Sequence, residues 1–175
     1  MIMKVYGLLN LPSIFILENF NINFENAVNA VYKMSEDGAE GIVIKGNFSI
    51  SLRLFIYLKG RMDIPIFLFI RSEREFEKAK MAHIRHVFSE KEIKGSKQLK
   101  ILRASSTINE SKDTILVEDR RVQRIFGETE DYLPELIGIL SFRLCEVGCK
   151  TFITEEVRSA KAGVRLYKKL KQFIA

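Results

Sequence analysis

Two cations and several acids and amides stand just behind short apolar runs of this 175-residue chain. Asn10 follows the first such run, Lys45 to Ser49 the second and Arg71 the third; Glu118 with Asp119 and Thr154 with Glu155 follow later ones. If the runs are parallel strands, these positions share the end at which α/β architectures meet their ligands. Lys45 and Arg71, beside helix N-termini at Ser49 and Ser72, are suited to charge-assisted hydrogen bonds with an anion. The candidate anion-binding set is therefore Asn10, Lys45, Asn47, Ser49 and Arg71. Glu118, Asp119, Thr154 and Glu155 form a second part of the rim, where the acids could serve acid–base chemistry. The competing assignment for all of them is helix caps and solvated loops.

Other chemistry-bearing residues are weaker candidates. His83 and His86 lie three apart, a spacing that shares one helical face, but no third ligand recurs at metal-binding distance. No metal site is expected. Cys145 and Cys149 lie four apart at a probable helix end, which is neither a disulfide framework nor a zinc pattern. With no base near in sequence, Cys145 reads as packing.

Alternating strand and helix signals must position these groups. Met3 to Leu9 is strand-like. Asn23 is expected to cap a helix with the stripe Phe24, Ala27, Val28, Val31 and Met34, closed by Gly38. Glu40 to Ile44 is a strand, and Ser49 or Ser51 opens a helix through Leu52, Phe55, Ile56 and Leu58 that Gly60 stops. Ile64 to Ile70 is apolar on both faces, as a doubly covered strand must be. Ser72 to Glu75 is a capping box for a helix carrying Phe76 and Ala79. His86 to Phe88 is a short strand, and a second capping box, Ser89 to Glu92, predicts a helix ending at Gly95.

Leu99 to Leu102 and Thr114 to Val117 are further strands. Asp131 is expected to cap a helix with Pro134 in its first turn. That helix is apolar nearly all round, with Leu133, Leu136, Ile137, Leu140 and Leu144 on one side and Ile139, Phe142 and Val147 on others. It demands cover from a core or an interface. Thr151 to Thr154 is the last strand. The final helix is read with Glu155 and Glu156 in its first turn and Lys168, Lys169 and Lys171 near its end, matching the macrodipole. Its stripe of Val157, Ala160, Val164, Tyr167 and Ile174 opposes Arg158, Lys161, Arg165, Lys168, Lys169 and Lys171.

The bulk composition sets limits. Apolar residues make up 47% and charged residues 29%, so the chain is globular rather than disordered. Lys4, Asn10 and Pro12 interrupt any signal peptide, and the longest apolar run is a strand's length. Two cysteines suggest a reducing, cytoplasmic setting. Three glutamines beside abundant Lys, Arg, Glu and Ile match a thermophile bias. A net charge of +6 permits nucleic acid or anionic ligands without demanding them.

The stretch Gly7 to Gly46 goes further. Gly7-Leu8-Leu9-Asn10, then Ala30, Met34, Gly38 and Ala39, then a strand ending at Gly46, resembles the opening unit of the dihydropteroate synthases and related pterin-binding barrels. The resemblance implies a parallel TIM-barrel-type fold and a pterin or phosphorylated metabolite as ligand. It also gives Asn10 the place of an asparagine that helps position metal and diphosphate. Most of the family's chemistry is replaced. D-I-G-G-E-S-T becomes Val43-Ile44-Lys45-Gly46-Asn47-Phe48-Ser49, D-T becomes Phe69-Ile70, and R-V-H-D becomes Ile153-Thr154-Glu155-Glu156. The D-S-F after the first strand, the S-R-K lysine and the D-P-G-x-G-F strand have no counterpart.

A full eight-unit barrel takes about 250 residues and seldom fewer than about 200. With six or seven units read from 175 residues, the expectation is one α/β domain, a shortened or incomplete TIM barrel; the alternative is an open doubly wound flavodoxin-like sheet. Genuine dihydropteroate synthase activity is not expected. A small anionic ligand, a partner-subunit role and a homo-oligomer, most simply a dimer, are. The rival function is a basic interaction module for nucleic acid or a protein assembly.

Overall fold

The computed structural model describes residues 2–11, 20–103, 113–118 and 132–174. They contain eight strands: β1 (Lys4–Asn10), β2 (Ile42–Lys45), β3 (Ile66–Ile70), β4 (Val87–Ser89), β5 (Lys97–Gln98), β6 (Lys100–Ile101), β7 (Thr114–Val117) and β8 (Thr151–Thr154). Five helices accompany them: α1 (Phe20–Glu36), α2 (Phe48–Leu58), α3 (Glu73–Met81), α4 (Leu133–Glu146) and α5 (Val157–Ile174). The chain divides into two compact units, Gly7–Leu99 and Met1–Tyr6 with Lys100–Ala175.

Within Gly7–Leu99 the strands hydrogen-bond in chain order, β1-β2-β3-β4-β5, and every ladder is parallel. In the other unit the order is β1-β8-β7-β6; the β6–β7 and β7–β8 ladders are parallel, and Lys4 donates to the Lys150 carbonyl at 2.9 Å. A doubly wound sheet reverses its order at a switch point. Neither unit does, so the winding is the single, barrel-type one. The sequence reading of six or seven units misses β5, which is two exposed residues long, whereas β6 lies within the expected Leu99 to Leu102 strand.

The longer strands are buried on both faces, while the two residues of β5 are exposed. Ile42, Val43, Ile44, Leu68 and Ile70 expose none of their surface, and neither do Leu116, Val117, Phe152 and Ile153. Period-two alternation is lost because helices cover a parallel sheet on its outer side. α1 supplies Ala27, Val28, Val31 and Met34 as expected. It ends in a Schellman motif: the Ala39 N–H reaches the Met34 carbonyl, the Gly38 N–H reaches that of Ser35, and Gly38 takes a left-handed φ of 101°. α3 ends the same way without glycine. His83 holds φ 60°, donating to the Lys80 carbonyl while Ile84 donates to that of Ala79.

Several expected boundaries move. α1 starts at Phe20, so Asn23 is a buried residue inside the helix rather than its cap. Asn47, not Ser49 or Ser51, caps α2, its side-chain oxygen accepting from the Ile50 N–H at 3.3 Å. The buried side of α2 is Ser51, Leu54, Phe55 and Leu58, leaving Ile56 outside. No helix follows Ser89. Its hydroxyl instead closes a turn, bonding the Lys91 carbonyl and the Ser96 hydroxyl, each at 2.7 Å; a local side-chain bond has outcompeted helix capping. Tyr132 stands at the N-cap of α4 with no side-chain bond, and Asp131 lies outside the described residues. Glu155 and Glu156 precede α5 rather than forming its first turn. The buried side of α5 is Val157, Ala160, Gly163 and Val164, with Ile174 exposed.

The helices α4 and α5 pack through their backbones. A Cβ added at Gly163 would overlap the carbonyl oxygen of Gly138, and the buried Ser141 hydroxyl donates to the Ala160 carbonyl at 2.7 Å. Gly163→Ala should therefore destabilise the fold by about 1–3 kcal/mol, since backbone cannot yield as a side chain would. Gly138→Ala should be near neutral, its new methyl meeting only the Ser159 carbonyl at 3.5 Å. Urea unfolding of both variants checks the contrast, and equal effects would contradict it.

Candidate functional site

In Gly7–Leu99 the parallel ladders place the carboxyl ends of β1, β2 and β3 side by side. Asn10 and Lys45 are direct register partners at the ends of β1 and β2. Both are half-buried. The Lys45 ammonium lies over the ring of Phe69 on β3, 5.5 Å from its centroid. Phe69 is 6% exposed, so the cation rests on a largely desolvated aromatic face. This is the third-strand position where the family resemblance implies an acid.

The remaining members of the first set sit at helix starts. Asn47 is committed to capping α2, and Ser49 is exposed in its first turn. Arg71 is exposed between β3 and α3. Its N–H donates to Glu75 Oε1 at 2.8 Å, and Ser72 Oγ accepts from the Glu75 N–H at 3.2 Å, completing the expected capping box with Arg71 in it. The structure thus brings Asn10, Lys45 and Phe69 together on three adjacent strands. It puts Arg71 two residues beyond Phe69 on the same strand end. Phe69 was missed as a site residue because an apolar residue in an apolar run carries no chemical signal.

In the other unit Glu118 directly follows β7 and is 1% exposed, an unusual depth for a carboxylic acid. Thr154 ends β8 as the register partner of Val117, fully buried, with its hydroxyl accepting from the Glu156 N–H at 3.2 Å. Thr154 is thereby a turn-forming residue leading into α5. Glu155 is half-buried, and Asp119 lies outside the described residues. Among the described residues no group of three His, Cys, Asp or Glu side chains gathers to hold a metal. His83 serves as a left-handed helix end, and exposed His86 meets the edge of the Phe67 ring at 5.5 Å.

The two thiols are free and buried. Burial pushes Cys145 up to about 11 and Cys149 up to about 12, the Cys149 Sγ also donating to the carbonyls of Asp113 and Thr151.

No family model matches the sequence, and no curated protein sequence matches it. Solved structures do. Dihydropteroate synthase from Xanthomonas albilineans in complex with 7,8-dihydropteroate superposes with a TM-score of 0.71 at 10% identity, over 97% of this chain and 93% of that one. The Coxiella burnetii dihydropteroate synthase with pteroic acid gives 0.72 at 10% identity, over 97% and 93%. The Yersinia pestis enzyme with a sulfonamide drug complex gives 0.73 at 10% identity, over 98% and 95%. The chain has the dihydropteroate synthase fold.

With that fold, an α/β TIM-barrel-like architecture, the strand ends described above are the ends at which barrel enzymes do chemistry. No described helix is long and apolar enough to cross a membrane. The cysteines supply no nucleophile. A thiol at about 11 is ionised to roughly one part in a thousand at pH 8. Iodoacetamide at that pH should leave both cysteines unmodified by mass spectrometry in the folded protein and modify both in denaturant. Because their folded values lie above the unfolded one, the thiols stabilise the fold below pH 9 and lose that contribution as pH rises towards 11–12. Rapid labelling of folded protein would contradict this burial.

Proposed function

We propose that this chain is a dihydropteroate-synthase-like, pterin-binding-type domain that has lost most of the family's catalytic residues and binds a small anionic ligand. In this reading it is one α/β domain in a cytoplasmic setting. The observation that carries the proposal is Lys45 lying over Phe69 beside Asn10. An acid at the third strand would accept hydrogen bonds from the guanidine-like edge of a pterin. Phe69 has no acceptor, and the cation above it selects the opposite charge. Of the two ligand classes that the resemblance implies, a phosphorylated metabolite suits this rim better than an uncharged pterin.

Lys45 and Arg71 would each give the anion a charge-assisted hydrogen bond of about 1.5–3 kcal/mol when shielded from water. Asn10, Asn47 and Ser49 would line the remainder. The domain would also self-associate as a homodimer, a reading supported by exposed apolar residues on α4 and α5. The basic stripe of α5 favours a second reading, an interaction module for nucleic acid, and the experiment separates the two.

A thermal-shift screen against pterins, folates, phosphorylated metabolites and single-stranded nucleic acid at two salt concentrations should find its largest shift with a phosphorylated metabolite. Replacing Lys45 and Arg71 together by Met should abolish that shift in a protein that still melts cooperatively: Arg71 is exposed, and losing the Lys45–Phe69 contact on its desolvated ring costs about 2 kcal/mol. A double variant that binds as wild type rules the site out, and a dominant salt-sensitive shift with nucleic acid favours the module.

Purified protein should also fail to condense a pterin diphosphate with p-aminobenzoate, given Val43, Asn47 and Phe69 in place of the acids the resemblance implies and no counterpart of the late lysine. Metal-dependent turnover abolished by Asn10→Ala would overturn the loss of chemistry.

A further inference from the structure

Within Gly7–Leu99 the segments that enter the parallel strands share one end, opposite to that of Asn10, Lys45 and Arg71. Lys59 and Arg61 enter β3, Arg85 and His86 enter β4, and Lys97 is the first residue of β5; all five are exposed. His86 and Lys97 converge on one buried ring. The Lys97 ammonium lies over Phe67, 5.2 Å from its centroid, and the edge of the same ring backs the imidazole of His86 at 5.5 Å. Before β3, the Arg61 guanidinium stacks on the half-exposed Tyr57 ring at 4.3 Å and donates to the Tyr57 carbonyl, while Phe24 packs against that ring at 5.3 Å. The acids at this end are Asp63 before β3 and, before β2, Glu40 and Asp37, the last bonded to Lys33 at 3.4 Å. Charge therefore grows more positive from β2 towards β5. Between Lys78 and Leu99 six Lys or Arg stand against two Glu, so this segment carries +4 of the chain's +6.

We propose that the amino ends of β3, β4 and β5 form a docking surface for single-stranded nucleic acid. A single strand offers a row of phosphates and unpaired bases with open faces, and it is held by cations interleaved with planar groups. This face has both. Lys59, Arg85 and Lys97 meet the phosphates, and His86 and the stacked Arg61–Tyr57 pair offer planes for bases. An acidic peptide would use the cations and leave the planes idle. A duplex would do the same, since its bases are already stacked on one another. Lys97 and Arg61 are held on the Phe67 and Tyr57 rings before any ligand arrives, so less side-chain freedom is lost on binding. The surface uses no residue of the anion site at the other strand ends and none of the α5 stripe, so it stands independently of both readings above.

Titration of a fluorescein-labelled oligouridine, followed by anisotropy over a series of salt concentrations, tests it, with circular dichroism melts to confirm folding. Wild type should bind with an affinity that falls steeply as salt rises. Arg85→Ala and Lys97→Met should each lower the slope of log K against log salt by about 0.7, the share of one phosphate contact on a single strand. His86→Ala should weaken binding by about tenfold and His86→Phe should restore it, because a base stacks on phenyl as on imidazole. Absence of binding at low salt overturns the inference. Displacement by poly-glutamate at equal charge, with His86→Ala binding as wild type, assigns the surface to an acidic peptide and overturns it too. So does a loss confined to Arg158→Glu/Arg165→Glu or to Lys45→Met/Arg71→Met, which moves the strand to α5 or to the other strand ends. If Lys97→Met melts early above Phe67, Arg85→Ala and His86→Ala still decide the matter. The metabolite shift and this titration draw on different residues, so either proposal can fail alone.

Discussion

Everything in this molecule depends on the burial of parallel strands on both faces. A parallel ladder cannot be closed by a tight hairpin, so the chain must return along the outside of the sheet before the next strand begins. Where that return is a helix with one apolar stripe, the strand's outer face is covered by the same segment that resets its direction. Within each unit the strands then end on one side, and the loops that follow them are collected there whether or not they do chemistry. Ile42, Val43 and Ile44, with no exposed surface, are the reason that Asn10 and Lys45 can face each other.

The sequence was most readable where one residue type answers one geometric need. Gly38 closing α1, Ser72 with Glu75 opening α3, and the fully apolar run ending at Ile70 all appear as expected. Misreadings arose where two physical solutions compete for the same residues. Ser89 could cap a helix or close a turn, and its bond to Ser96, seven residues away, decides for the turn. His83 takes a conformation usually left to glycine, which no pattern of apolar spacing would report. Leu99 alone separates β5 from β6, leaving no room for a helix there, and that is how eight strands fit a chain this short.

The candidate site was legible in position but not in character. Strand ends followed from periodicity, and Asn10, Lys45 and Arg71 were visible as polar residues there. That Asn47 is a helix cap and Thr154 a turn acceptor required coordinates, because a polar side chain near a helix start satisfies either role. The decisive neighbour, Phe69, is a residue whose meaning comes only from the ammonium above it. Cation and aromatic ring lie on different strands, so their pairing is a tertiary fact.

The contact between Gly138 and Gly163 gives the surface an evolutionary asymmetry. Most surface positions drift freely in size, each change absorbed by solvent. Where two helices meet through bare backbone, enlargement at Gly163 is refused by a carbonyl that cannot move aside. Variation along this face is thus channelled to its rims, at Ile139, Phe142 and Leu166, which can change side chain without prising the helices apart. Descendants of this chain could alter what the face recognises while the depth of the depression is inherited unchanged.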